Sequence, residues 1–124
     1  MGKWIGLVAA SAAGGAARYI LAGAVYQAFG TRFPYGTLIV NLSGCFLIGA
    51  LNSLAEAKFF LGPNARVLLM IGFCGAFTTL STLMLETSNL MKDGETARAL
   101  ANVAATIIFG FLLFRVGEVL GEVL

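Results

Sequence analysis

Four long apolar stretches, parted only by short polar connections, constrain this chain more than any other feature. They run from about Lys3 to Gln27, Gly36 to Ala55, Arg66 to Met91 and Thr96 to Val116. A helix needs about 20 mostly apolar residues to cross a bilayer. Four such helices use up nearly all of the 124 residues, so no soluble domain fits. Composition agrees: 59% of the residues are apolar and 11% charged, against roughly 45–50% and 25% in soluble domains. Mean hydropathy is +0.90. In lipid only helices and closed barrels satisfy their own backbone. The runs are too long and too evenly apolar for barrel strands. The reading is therefore an all-α membrane protein, a single four-helix transmembrane unit.

The connections carry ordinary punctuation. Gly30 to Pro34 reads as a turn, Gly62-Pro63-Asn64 as the centre of the second loop, and the run from Lys92 to Glu95 as the third. The first apolar run is read as a span, because no small-residue cleavage site separates it from a polar mature domain. Histidine is absent, and Cys45 and Cys74 both fall inside spans. That excludes a disulfide framework and an ordinary metal site; both thiols read as small packing groups. A net charge of +2 is too small to point to nucleic acid. Lys3, Lys58, Arg66 and Arg115 lie on one side of the membrane and Arg32, Lys92 and Arg98 on the other, four against three. So weak a bias hardly fixes orientation. It suits a chain that inserts both ways and pairs as an antiparallel dimer, or one orientation set by other features.

The polar residues inside the spans carry the functional information. Arg18 lies within the first span, where a charge costs roughly 3 kcal/mol on insertion scales. It either snorkels to bind carbonyls or gives an aqueous vestibule a positive potential that gathers anions. In the second span Asn41, Gly44, Cys45, Ile48 and Asn52 recur at steps of three and four and share a face. Small residues there let helices approach closely. Asn41 can serve as interhelical glue or line an ion path.

The third span holds the densest signal, "GFCGAFTTLSTLMLE", residues 72 to 86. Thr78, Ser81 and Thr82 form a hydroxyl stripe at helical spacing, and Glu86 continues it by one turn. Gly72 and Gly75 precede it, and glycine weakens a helix by about 1 kcal/mol relative to alanine. Threonine and serine can bond back to helix carbonyls and loosen the ladder. A break near Gly75 to Thr78 would free backbone groups at membrane depth, tolerable only where protein or an ion replaces the lost partners. Free carbonyls would suit Na⁺, and hydroxyl and amide donors an anion. The fourth span adds Asn102, Thr106 and Gly110 on one face, with Phe109, Phe111 and Phe114 read as packing or lipid-facing. The tail with Glu118 and Glu122 reads as a solvated helix end. No histidine base, nucleophile elbow or phosphate loop is present, which favours a pathway over an enzyme.

"GGAARYILAG", "PYGTLIVNLSGCFLIG" and "GFCGAFTTLSTLMLET" resemble the fluoride channel family (Fluc, also called CrcB). The resemblance implies a passive fluoride exporter of the cytoplasmic membrane, an antiparallel dual-topology dimer with two pores. It implies a structural Na⁺ on the dimer axis, bound by backbone carbonyls at the break in span three, which maps onto Gly75 and Thr78. The family's pore asparagine maps onto Asn41, its arginine onto Arg18, its hydroxyl track onto Ser81 and Thr82, and its acidic residue onto Glu86. Thr37 matches a vestibule threonine, and Asn102 a polar residue of span four that continues the track. One departure stands out. The family's run T-T-F-S-T-F reads T-T-L-S-T-L here, so Leu80 and Leu83 occupy positions where phenylalanine ring edges, which carry partial positive charge, approach the ion. The change implies slower conduction, rings supplied from elsewhere (Phe46, Phe73 or Phe77), or a partner subunit that brings them. The competing readings are a small multidrug transporter, which would want a carboxylate where Arg18 stands, a non-conducting partner in a heterodimeric channel, and an assembly protein in which the polar track is only helix glue.

Overall fold

The computed structural model describes residues 1–58 and 61–124. Among them it is all-helical, with four segments long and apolar enough to cross a membrane: Gly2–Phe29, Tyr35–Glu56, Pro63–Lys92 and Thr96–Val123. The first is α1 and the second α2. The third is composite: α3 (Pro63–Arg66), a π-helical stretch (Val67–Cys74), α4 (Gly75–Phe77) and α5 (Leu80–Lys92). The fourth, α6 (Thr96–Val123), runs seven residues beyond the limit near Val116 expected from sequence. Pro63 opens α3 at a position where its missing N–H is not needed. Gly30 and Gly94, both at positive φ, follow α1 and begin the last connection.

Packing explains the extra length of α6. Its most extensive partner is α2. The two backbones approach so closely that a Cβ on Gly49 would collide with the Phe114 carbonyl, and one on Gly117 with the Phe46 carbonyl. Only glycine permits this, and close approach supplies the dispersion that drives helix association in lipid. Glu122 is exposed, as a helix end would be, but Glu118 is not a solvated residue. Ser53 Oγ donates to the Glu118 carbonyl at 2.5 Å, Asn52 Nδ2 donates to Glu118 Oε2 at 3.2 Å, and Arg115 donates to Glu118 Oε1 at 2.8 Å. Asn52, Ser53, Arg115 and Glu118 all find partners here.

The helix α1 packs on the π-helical stretch, on α4 and on α2, and α5 packs on α6. Arg66 fixes the second connection by donating to Glu56 at 3.0 Å and to the Ala55 carbonyl at 2.8 Å. Large apolar side chains such as Ile20, Ile71, Leu85 and Ile107 point outward. Four apolar spans with such a surface make this a multi-pass membrane protein.

Candidate functional site: a broken helix and its cavities

The third span breaks at Thr78 and Thr79, which take extended conformations (φ −88°, ψ 158° and φ −152°, ψ 123°). Gly75, where the sequence suggested the break begins, is regular helix at φ −62°, ψ −37°. The tolerant residue is thus not the one that bends; consecutive β-branched threonines, at home in extended backbone, carry the interruption. Three side chains then replace the lost ladder. Asn41 Oδ1 accepts from the Thr79 N–H at 2.8 Å, and Asn41 Nδ2 donates to the Thr79 carbonyl at 3.0 Å. The amide of Asn41 acts as a substitute peptide group. Thr79 Oγ1 caps α5 by accepting from the Thr82 N–H at 3.1 Å. Thr78 Oγ1 donates back to the Cys74 carbonyl at 3.0 Å.

These bonds divert two donors. In an unbroken helix the Thr79 N–H would serve the Gly75 carbonyl, and the Thr82 N–H the Thr78 carbonyl. One goes to Asn41 and the other to Thr79 Oγ1. The carbonyls of Gly75 and Thr78, the two expected to hold a cation, therefore lose their helical partners. Both residues line an open groove of about 580 Å³, with Asn41, Leu80, Leu83 and Phe111 among its other walls. Oxygen-only ligation by freed carbonyls is the donor chemistry a hard cation takes.

A second, smaller cavity of about 220 Å³ lies among Arg18, Tyr26, Thr37, Thr79, Thr82 and Glu86, with Tyr19 and Ala22 completing it. Four residues singled out in the sequence from three different spans meet here: Arg18, Thr37, Thr82 and Glu86. Two of their buried polar atoms, Arg18 Nε and Glu86 Oε1, have no hydrogen-bond partner. Among the described residues no ion pair joins them. An unpaired buried polar group costs about 1–3 kcal/mol. Two residues that line one cavity thus each keep a buried polar atom without a partner, which sets it apart from the α2–α6 seam.

The remaining expected residues fall elsewhere. Ser81 is exposed and reaches only Thr79 Oγ1, at 3.4 Å. Leu80 is 68% exposed and Leu83 only 2%, so the two leucines face different surroundings although both border the groove. Asn102 is fully buried and donates to Thr87 Oγ1 at 3.4 Å, joining α5 and α6 without lining either the groove or the small cavity. Thr78 departs from the expected stripe: it lies across the break from Ser81 and Thr82, and its methyl group fills the space above Gly44. Thr79 takes its place as the hub, a residue that helical spacing could not select because the helix stops there. Of the rings, Phe73 and Phe77 stack on each other with centroids 5.6 Å apart. Phe111 and Phe114 stack on each other with centroids 6.4 Å apart and also border the groove. Tyr26, not singled out from sequence, donates to Glu86 Oε2 at 2.7 Å; its signal was an isolated phenol near the end of an apolar helix.

The groove and cavity sit in a chain whose residues 5–118 match the family model described as CrcB-like protein, Camphor Resistance (CrcB). The chain belongs to the CrcB family. Among its relatives, a protein of Methylocella silvestris named fluoride-specific ion channel FluC is 45% identical over 94% of this chain and 90% of its own length. One of the same name from Maridesulfovibrio salexigens is 40% identical over the whole of this chain and 98% of its own. A third, from Chlorobaculum tepidum, is 47% identical over 89% of this chain and 86% of its own. This CrcB protein is thus matched along nearly its full length, including the break and every wall of the small cavity.

Proposed function

We propose that this CrcB protein is a fluoride channel, not an enzyme: a passive exporter of the cytoplasmic membrane. The observation that carries the reading is the small cavity, where the half-buried Arg18 and three threonines drawn from the second and third spans surround space inside the bundle. Fluoride is small and strongly hydrated, so entry demands donors that replace its water. Neutral hydroxyls supply them without trapping the ion, and conduction needs binding that is weak enough to release. Arg18 supplies attraction from one wall. The relatives' names support fluoride as the ion.

The open groove supports a paired assembly. An antiparallel homodimer of dual-topology chains would cover it and build two conduits, with Leu80, Ser81 and Leu83 at their walls and Asn41 holding the break that shapes them. The carbonyls of Gly75 and Thr78, their helical donors diverted, would hold a structural Na⁺ between the subunits. That ion would supply positive charge to fix the two broken helices against each other.

A fluoride-electrode efflux assay on liposomes holding this protein, with chloride as the control, tests the reading. Fluoride efflux without chloride efflux is expected; a silent protein ends the channel reading for this chain alone. The exposed Leu80 favours one second reading, a partner subunit that conducts only beside a homologue carrying rings at that place. Efflux restored by co-reconstitution would support it. Accessibility of a C-terminal tag from both membrane faces is expected of dual topology, and a single accessible face would exclude the antiparallel homodimer.

A further inference from the structure

A third cavity, an open vestibule of about 680 Å³, lies at the end of the bundle where the first and third connections meet; Arg32, Asn89, Asp93 and Arg98 are among its walls. The vestibule and the small inner cavity share two lining residues, Tyr26 and Glu86. Those two side chains therefore form the neck between them. The Tyr26 hydroxyl donates to Glu86 Oε2 at 2.7 Å, and Thr37 Oγ1 lies 3.5 Å from the same hydroxyl. A phenol has a single hydrogen to donate, and here it is spent on Glu86. The other carboxylate oxygen, Oε1, is buried without a partner. The vestibule also holds Glu95, 3.7 Å from Arg98; an anion moving from Arg32 toward Arg18 meets, at the neck, a carboxylate that repels it and a phenol that can serve it.

We propose that Tyr26 is the selectivity-determining donor at this neck: its hydroxyl hydrogen turns from Glu86 Oε2 to a fluoride ion in transit and returns when the ion has passed. No covalent bond breaks; the O–H stays intact and only its acceptor changes. Fluoride can win this exchange because it concentrates its charge on one small atom and accepts hydrogen bonds as strongly as a carboxylate. Chloride, larger and a weaker acceptor, does not displace Glu86 and is held out. Thr37 Oγ1, 3.5 Å from the phenol oxygen, stands close enough to meet the same ion. The inference rests on the fluoride-channel reading.

The test replaces only the hydroxyl. Tyr26→Phe keeps the ring, which lies over Gly36 and leaves no room there for a side chain, so packing is preserved. Fluoride efflux from liposomes should fall by about 10- to 100-fold, the worth of one hydrogen bond to a charged acceptor, with an unchanged elution profile in detergent. Independently, in wild-type protein carrying ¹³C-labelled tyrosine, fluoride should move the Tyr26 Cζ resonance, while equal chloride should not. Tyr35, which lines neither the vestibule, the groove nor the small cavity, is the internal reference. Wild-type efflux from Tyr26→Phe, or a Cζ resonance indifferent to fluoride in protein that conducts it, would overturn the proposal and leave the channel reading standing. A wild-type protein without fluoride efflux would overturn both.

Discussion

The α2–α6 seam and the break in the third span are both polar and both buried in a protein made for lipid, yet they treat their polar groups oppositely. At the seam, Asn52, Ser53, Arg115 and Glu118 bond to one another or to backbone, and glycines bring the helices together. Around the break, hydrogen bonds are redirected so that carbonyls lose their helical donors, and Arg18 Nε and Glu86 Oε1 are left open. In a medium without water, a closed set of hydrogen bonds holds helices together. Two of the three buried side-chain atoms without a partner among the described residues belong to walls of the small cavity; the third, Asn102 Oδ1, lies on the residue that joins α6 to Thr87 of α5. Satisfaction of polar groups, rather than their presence, separates scaffold from site.

Five changes can break or sharpen that contrast. The largest effect is expected at the seam from Gly117→Leu, whose side chain would run into the Phe46 and Ala50 backbone. No monodisperse protein should be recovered on size exclusion, and a normal profile would show that the seam is looser than it looks. Next, Asn41→Asp puts a second acceptor against the Thr79 carbonyl, 3.0 Å away, in place of a donor. Fluoride efflux should be abolished, with a stability loss of about 1–3 kcal/mol for the unpaired buried group; efflux at the wild-type rate would remove Asn41 from both clamp and pathway.

Arg18→Ala and Glu118→Gln form a crossed pair. Loss of Arg18, whose Nε has no partner to forfeit, should lower fluoride efflux at least tenfold and leave thermal stability intact. Loss of the Glu118 charge should cost about 1 kcal/mol of stability by weakening charge-assisted bonds to Asn52 and Arg115, with efflux unchanged. The reverse pattern would sink the distinction between closed and open sets. The smallest effect belongs to Ser81→Ala: Ser81 is exposed and holds only one long contact, so efflux should drop by a few-fold and melting should not move.

Much of the site was legible because composition in lipid is so restrictive. Each intramembrane polar residue needs a reason, so Arg18, Asn41, Thr82 and Glu86 stood out, and all four lie at the break or its cavities. What escaped was whatever depended on partners distant in sequence. Thr79 was passed over because periodicity assumes an unbroken helix, whereas this residue ends one helix and caps the next. Tyr26 has no motif around it, and its role rests on Glu86, 60 positions away. Asn102 lies on the face shared with Thr106, but its own side chain meets Thr87 of α5 rather than the small cavity. Glu118 looked solvated because nothing local shows that Asn52 and Ser53 of α2 lie against it.

By itself the sequence determined four apolar spans, the lipid solvent they require, and the short set of side chains able to do chemistry there. Hydropathy and hydrogen-bonding capacity are properties of single residues and survive any arrangement of the chain. Only the tertiary structure decided which polar groups are spent on one another and which are left without partners, that the break expected between Gly75 and Thr78 falls at Thr78 and Thr79, and that Tyr26 meets Glu86 at a neck. Those outcomes depend on distances between helices, which close packing at a few glycines sets and no local pattern encodes.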